Sequence, residues 1–363
     1  MSELPIRDEL RGFEPYGAPQ LDVPVCLNVN ENPFAPSEQL VADAARAVAH
    51  AVRDLNRYPD REATTLRERL ATYLHGEAGV ALDTGQVWAA NGSNEVMLQI
   101  LQAFGGPGRT ALSFAPTYSM YPEYARDTST AWVTAPRDEH TFAIDHDDAL
   151  KAVAEHQPTV VFIASPNNPT GTAVPLGLVT ALHEATDGIV VVDEAYAEFR
   201  RDGVPSALTL LATHPRLIVT RTMSKAFAFA GARVGYAAAS TQIVDVLRIV
   251  RLPYHLSAVT QAVAVVALEH ATELQARVAQ LRDERDALAV WLREQGLEVA
   301  DSDANFVLFG RFADRRAVWQ GLLDHGVLIR ETGPDGWLRV SVGTPEETTA
   351  FKVALIDVLK ELS

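Results

Sequence analysis

Thr159-Val-Val-Phe-Ile-Ala-Ser-Pro-Asn-Asn-Pro-Thr-Gly171 is a short apolar run that stops in a turn holding two X-Pro steps. Gly188-Ile-Val-Val-Val192, stopping at Asp193, and Leu217-Ile-Val-Thr220, stopping at Arg221, repeat that pattern. Each run is rich in β-branched residues and reads as a buried strand. Upstream, 87–90 and 110–114 are further predicted strands, each followed by a helical stretch, and 177–185 has helical character. Apolar strands separated by helices imply an α/β fold, with a mainly parallel sheet sandwiched by helices.

Outward from this alternation the pattern changes. Residues 1–36 read as an irregular arm, with prolines at 5, 15, 19, 24, 33 and 36 and a short strand over 25–29. Helical spacing over 37–55 starts at Ser37 as N-cap, and a helix over 65–74 is closed by Gly76. Two long helices are predicted over 257–272 and 273–295. Strands over 297–300, 305–309, 327–330 and 337–342 follow, with helices over 313–325 and 346–362. The expected organisation is an arm (1–36) that joins the small domain, a large domain (37–265) and a smaller α+β domain (266–363).

At 363 residues and 47% apolar content the chain can bury a sizeable core. A formal charge of -16 and a pI near 5.0 oppose nucleic acid or an anionic membrane as partner. One cysteine, Cys26, excludes an internal disulfide and reads as a small buried apolar residue. The first ten residues lack the pattern of a signal peptide, and the apolar stretch 258–268 is too short to span a membrane. A soluble, cytoplasmic protein is expected.

Ligands of open α/β sheets bind outside the carboxyl ends of the strands. There the sequence places Gly92, Ser93 and Asn94 at a helix start, then Tyr118, Asn168, Asp193 with Tyr196, and finally Lys225. Lys225 is one of four lysines and lies among Ala, Phe and Met, where desolvation favours a neutral, nucleophilic amine. Thr220, Thr222, Ser224, Arg221 and Arg233 surround it and form an inventory that suits a phosphate. Each residue alone has an ordinary structural reading, such as a helix cap for Asp193. Together they match pyridoxal 5'-phosphate. Lys225 would form the Schiff base and Asp193 would keep the ring nitrogen protonated. Asn168 and Tyr196 would hold the ring hydroxyl, with Tyr118 stacked on the ring. Ser93, Asn94, Thr222, Ser224 and Arg233 would hold the phosphate. No metal is expected.

The runs Ser165–Gly171, Val192-Asp-Glu-Ala-Tyr196 and Thr222-Met-Ser-Lys-Ala-Phe, with Gly231-Ala-Arg233, resemble the fold-type I pyridoxal-phosphate aminotransferases. Within them the chain is most similar to the histidinol-phosphate aminotransferases. Asn28-Val-Asn-Glu-Asn-Pro33, Asn56-Arg-Tyr-Pro-Asp60, Ser302-Asp-Ala-Asn-Phe-Val-Leu308 and Leu338-Arg-Val-Ser-Val-Gly-Thr-Pro-Glu-Glu347 extend the likeness over nearly the whole chain. Ala232 departs from it mildly, standing where a larger apolar residue is common.

The resemblance implies ping-pong transamination between histidinol phosphate and 2-oxoglutarate, giving imidazole acetol phosphate and glutamate in histidine biosynthesis. The alternative is an aromatic amino-acid aminotransferase, whose family shares most of these runs. The resemblance further implies a homodimer in which Tyr58 reaches the neighbouring subunit's cofactor. It assigns substrate binding to Tyr16, Asn30, Asn168, Arg330 and Arg339. A guanidinium pair suits a site that must bind a phosphate and then a carboxylate.

Overall fold

The computed structural model describes residues 4–362. Its strands are β1 (Val25–Cys26), β2 (Val87–Ala90), β3 (Thr110–Ala115), β4 (Ala131–Pro136), β5 (Val160–Ala164), β6 (Ile189–Asp193), β7 (Leu217–Thr222) and β8 (Gly235–Ala239). After two long helices, Ala258–Glu269 and Ala271–Glu294, come β9 (Glu298–Val299), β10 (Phe306–Gly310), β11 (Val327–Leu328) and β12 (Trp337–Ser341). Seven strands form the central sheet in the order β2-β8-β7-β6-β5-β3-β4. Pairings from β7 through β4 are parallel, and β8 runs antiparallel to both its neighbours. The sheet is mostly parallel and flanked by helices, as the apolar runs imply.

β5, β6 and β7 are buried along their whole length, so their side chains serve two cores at once. Val161, Ile163, Val190, Val192, Leu217 and Val219 pack with the helices of one face. Val160, Phe162, Val191 and Ile218 pack on the other with helices Ser93–Phe104 and Thr241–Val250. A third core joins Val25 and Leu27 to Leu288, Phe309, Trp319, Phe351 and Leu355. There β12-β10-β9 form an antiparallel sheet, and β1 pairs in parallel with β11.

Several expectations need correction. The strand over 25–29 shortens to Val25–Cys26. Within it Val25 points inward and Cys26 outward, so the thiol is exposed rather than buried. Gly76 lies inside helix Thr64–Ala78, which ends at Gly79 in the left-handed conformation (φ 69°). Helix Ser93–Phe104 begins three residues before Val96, and Asp193 is the last residue of β6 rather than the first beyond it.

Arg221 also departs from its expected place near the phosphate. Side chains alternate along β7, so while Thr220 and Thr222 face the ligand side, Arg221 points to the opposite face. There, 1% exposed, it pairs with Glu194 (2.7 Å), Glu77 (3.0 Å) and Glu198 (3.3 Å). Glu194 is held as well by Ser206 Oγ and the Ala207 amide, each at 2.7 Å. A buried charge network of this kind needs its partners, and here it fastens β7 to the loop that follows β6.

Candidate active site

A cavity of about 460 Å³ opens at the carboxyl ends of the parallel strands. Its lining brings together Tyr16, Asn30, Ser93, Asn94, Tyr118, Asn168, Asp193, Tyr196, Thr222, Ser224, Lys225, Arg233, Arg330 and Arg339. Of the expected residues, Gly92, Thr220, Arg221 and the phenol of Tyr58 are not part of this lining. That phenol is 79% exposed and stacks on Tyr254, with ring centroids 4.3 Å apart, away from its own chain's cavity.

Lys225 follows β7 in a turn, and its Nζ donates to the Val29 carbonyl at 2.8 Å. Burial pushes the amine down to about 8; the positive charge of Arg339 adds to the shift and Glu31 opposes it. The Tyr196 ring lies 6.0 Å from Nζ, and the Tyr196 hydroxyl accepts a hydrogen bond from Asn30 Nδ2 at 3.0 Å. Asn30 holds a left-handed backbone (φ 56°), which asparagine tolerates better than most residues.

Asp193 is fully enclosed at the end of β6. Its carboxylate accepts from Tyr121 Oη (2.8 Å) and Thr220 Oγ1 (3.2 Å). Burial pushes its acidity down, raising the pKa against the opposing pull of these hydrogen bonds. No cation pairs with it among the described residues. Such a buried anion is stabilised by a positively charged ligand group. Tyr121, which sequence reading missed, also stacks on Phe162 and meets Tyr118 edge-on at 5.4 Å. It thus braces both the carboxylate and the ring at the cavity wall.

At the other end of the cavity, Thr222 Oγ1 donates to Ser224 Oγ at 3.0 Å, and Arg233 Nη1 donates to the same oxygen at 3.2 Å. The start of helix Ser93–Phe104 closes this end with free amide groups. Two glycines permit the approach. A Cβ on Gly92 (φ 84°) would lie 2.5 Å from Arg233, and one on Gly235 would lie 2.0 Å from the Ser93 nitrogen. Hydroxyls, a guanidinium and a helix N-terminus in so tight a cradle suit a phosphate. The donor set therefore fits pyridoxal phosphate, with an anion cradle at one end, a carboxylate for a protonated ring nitrogen and an amine between.

The outer wall carries the two arginines. Arg330 and Arg339 are bridged antiparallel partners, with N–H···O distances of 3.0 and 2.9 Å in the two directions. Directly opposed residues share one face of a sheet, so two like charges sit side by side at a cost. An anion between them reverses that cost. Arg339 is buried, donating to Asn168 Oδ1 (2.5 Å) and the Asn28 carbonyl (2.8 Å). Burial lowers Arg339 to about 10, which leaves it charged at neutral pH. Tyr16, from the N-terminal segment, bonds Ser119 at 2.8 Å at the cavity edge.

The chain matches the family model of aminotransferase class I and II over residues 23–355. It belongs to that family. The histidinol-phosphate aminotransferase of Thermobifida fusca (strain YX) is 64% identical over 356 residues, spanning 98% of this chain and 96% of that protein. Histidinol-phosphate aminotransferase 3 of Burkholderia lata is 60% identical over 359 residues, spanning 99% and 97%. Among solved structures, the histidinol-phosphate aminotransferase of Sinorhizobium meliloti in complex with pyridoxal-5'-phosphate superposes with a TM-score of 0.84. It is 24% identical and the match covers 94% of this chain and 92% of that one, which shows a shared fold. In this aminotransferase the cavity described above is the one place where an amine, a buried carboxylate and an anion cradle converge among the described residues.

Proposed function

We propose that this aminotransferase is a histidinol-phosphate aminotransferase that uses pyridoxal phosphate. It moves the amino group of L-histidinol phosphate to 2-oxoglutarate in two half-reactions, giving imidazole acetol phosphate and L-glutamate in histidine biosynthesis. The observation that carries this reading is the opposed pair Arg330 and Arg339 on the outer wall, a fork that accepts a phosphate in one half-reaction and a carboxylate in the other. The identity of 60–64% to histidinol-phosphate aminotransferases over almost the full chain supports it.

Bound pyridoxal phosphate supplies an aldehyde for the substrate amine and a protonated ring that draws electrons from Cα. The chain's own groups do the rest. Lys225 Nζ, neutral in a large fraction near pH 8, takes the proton from the substrate's Cα and holds it for return. The Asp193 carboxylate keeps the ring nitrogen protonated, and Tyr121 and Thr220 hold that carboxylate in place. Tyr118 would cover the ring face. Tyr196 and Asn168 would bond its hydroxyl. Ser93, Asn94, Thr222, Ser224 and Arg233 would hold the phosphate. Tyr16 and Asn30 close on the substrate beside Arg330 and Arg339.

We propose a homodimer, with Tyr58 reaching the cofactor phosphate of a second copy; its exposed position outside its own cavity supports this. We also propose a large domain over 37–265 and a small one over 266–363 that takes in the N-terminal arm, a division supported by the separate core around Val25, Phe309 and Phe351. Among the described residues no helix is long and apolar enough to cross a membrane. The cytoplasm is the compartment we propose.

Steady-state assay with 2-oxoglutarate as acceptor tests the donor. The expected result is a kcat/KM for histidinol phosphate at least about 100-fold above that for phenylalanine, since a phosphate monoester, with three terminal oxygens and more than one negative charge, engages both arginines more fully than a singly charged, two-oxygen carboxylate. Equal or reversed preference moves the assignment to aromatic amino acids.

A further inference from the structure

Two of the residues lining the cavity are acidic: Asp193 and Glu31. The charges around them can be matched one by one. The phosphate end has Arg233, the outer wall has Arg330 and Arg339, and Asp193 lies buried at the end of β6. Glu31 is left over. Its carboxylate makes no hydrogen bond or ion pair with any described residue, although its charge is felt at Lys225.

The backbone that carries Glu31 is, by contrast, tightly fastened. Asn305 Nδ2 donates to the Asn30 carbonyl (3.1 Å) and to the Glu31 carbonyl (3.3 Å). Ser341 Oγ accepts from the Asn30 amide at 2.9 Å and donates to Asn30 Oδ1 at 3.0 Å. On the far side, Asn32 Nδ2 reaches the Ala226 carbonyl at 3.3 Å. Asn30 itself takes the left-handed conformation within this clamp. The turn is thus held on both sides, and it places Glu31, whose side chain is exposed and unpartnered, among the residues that line the cavity.

We propose that Glu31 is a specificity-determining residue that recognises the imidazole of the amino donor, its carboxylate accepting a hydrogen bond from a ring N–H. The inference rests on the reading of histidinol phosphate as donor. That molecule has three polar parts: an amine, a phosphate and an imidazole. Lys225 and the cofactor site serve the first, and the arginine pair serves the second. Glu31 is the remaining anionic side chain of the lining for the third. A phenyl ring offers no N–H, and binding one beside Glu31 would strip water from a carboxylate without replacing its hydrogen bonds, which disfavours aromatic donors.

The experiment measures single half-reactions of the cofactor-loaded wild-type enzyme and of E31Q and E31D, with histidinol phosphate and separately with L-glutamate. Glutamate enters the same site without an imidazole, so it reports that fold and cofactor are intact. The expected result for E31Q is a loss of about 10- to 100-fold in the second-order rate constant for histidinol phosphate. Glutamate should be unchanged or faster, and E31D, which keeps the charge, should lose less. Equal losses with both donors, or no loss with either, overturn the role of Glu31. A wild-type enzyme that reacts with glutamate but not with histidinol phosphate overturns the donor assignment instead.

Discussion

Replacing Lys225 with alanine lowers turnover of every amine donor by at least about 1,000-fold, the scale of a lost general base. Lys225 is the sole lysine among the residues that line the cavity. Its burial beside Arg339 brings the amine down to about 8, against an ordinary value of 10.5. At pH 8 about half of it is therefore neutral, whereas a surface lysine is almost wholly protonated. The sign carries into a second observable. Reaction of the cofactor-free protein with a small aldehyde at Lys225 should rise through pH 8 and level off above it. The side chain makes one hydrogen bond, to the Val29 carbonyl, so the variant should fold. Turnover within about tenfold of wild type would contradict the assignment.

Asp193→Asn is expected to lower kcat by about 100- to 1,000-fold, the range for removing a preorganised charge from an enclosed site. Asparagine keeps the shape and can still bond Tyr121 and Thr220, but it cannot hold a protonated ring nitrogen by charge. Stability should move the other way. Because burial raises the pKa of Asp193, the cofactor-free fold loses stability as pH climbs from the ordinary value of 3.8 through the raised one, and the penalty persists at neutral pH. Asparagine carries no such penalty, so the cofactor-free variant should melt at the same temperature or higher. A folded variant with unchanged kcat would remove Asp193 from the chemistry. A variant that fails to fold would show that its role is structural.

What could be read in advance follows from how locally each feature is encoded. β5, β6 and β7 are unbroken apolar runs, so their existence and the ligand-side position of Asn168, Asp193 and Lys225 are visible in the chain. β8, Gly235-Tyr-Ala-Ala-Ala239, is nearly all alanine and small residues and carries no β-branched signal; its strand conformation comes from pairing with β2 and β7. β4 lies at the sheet edge with mixed burial, and its run Ala131-Trp-Val-Thr-Ala-Pro136 was likewise not identified. Arg221 is close to Lys225 in sequence, but side chains alternate along β7 and send it to the opposite face. Tyr121 was missed because it is 72 residues from Asp193, and only the sheet order brings them together. Glu31 lies in the run Asn28–Pro33, yet its lack of a partner is a property of the folded cavity.

The most direct measurement is to mix the cofactor-loaded enzyme with histidinol phosphate alone and follow the cofactor's visible absorbance. Rapid bleaching, fully restored by 2-oxoglutarate with one equivalent of glutamate formed per site, is the predicted result. No bleaching with histidinol phosphate, with bleaching by phenylalanine, would contradict it.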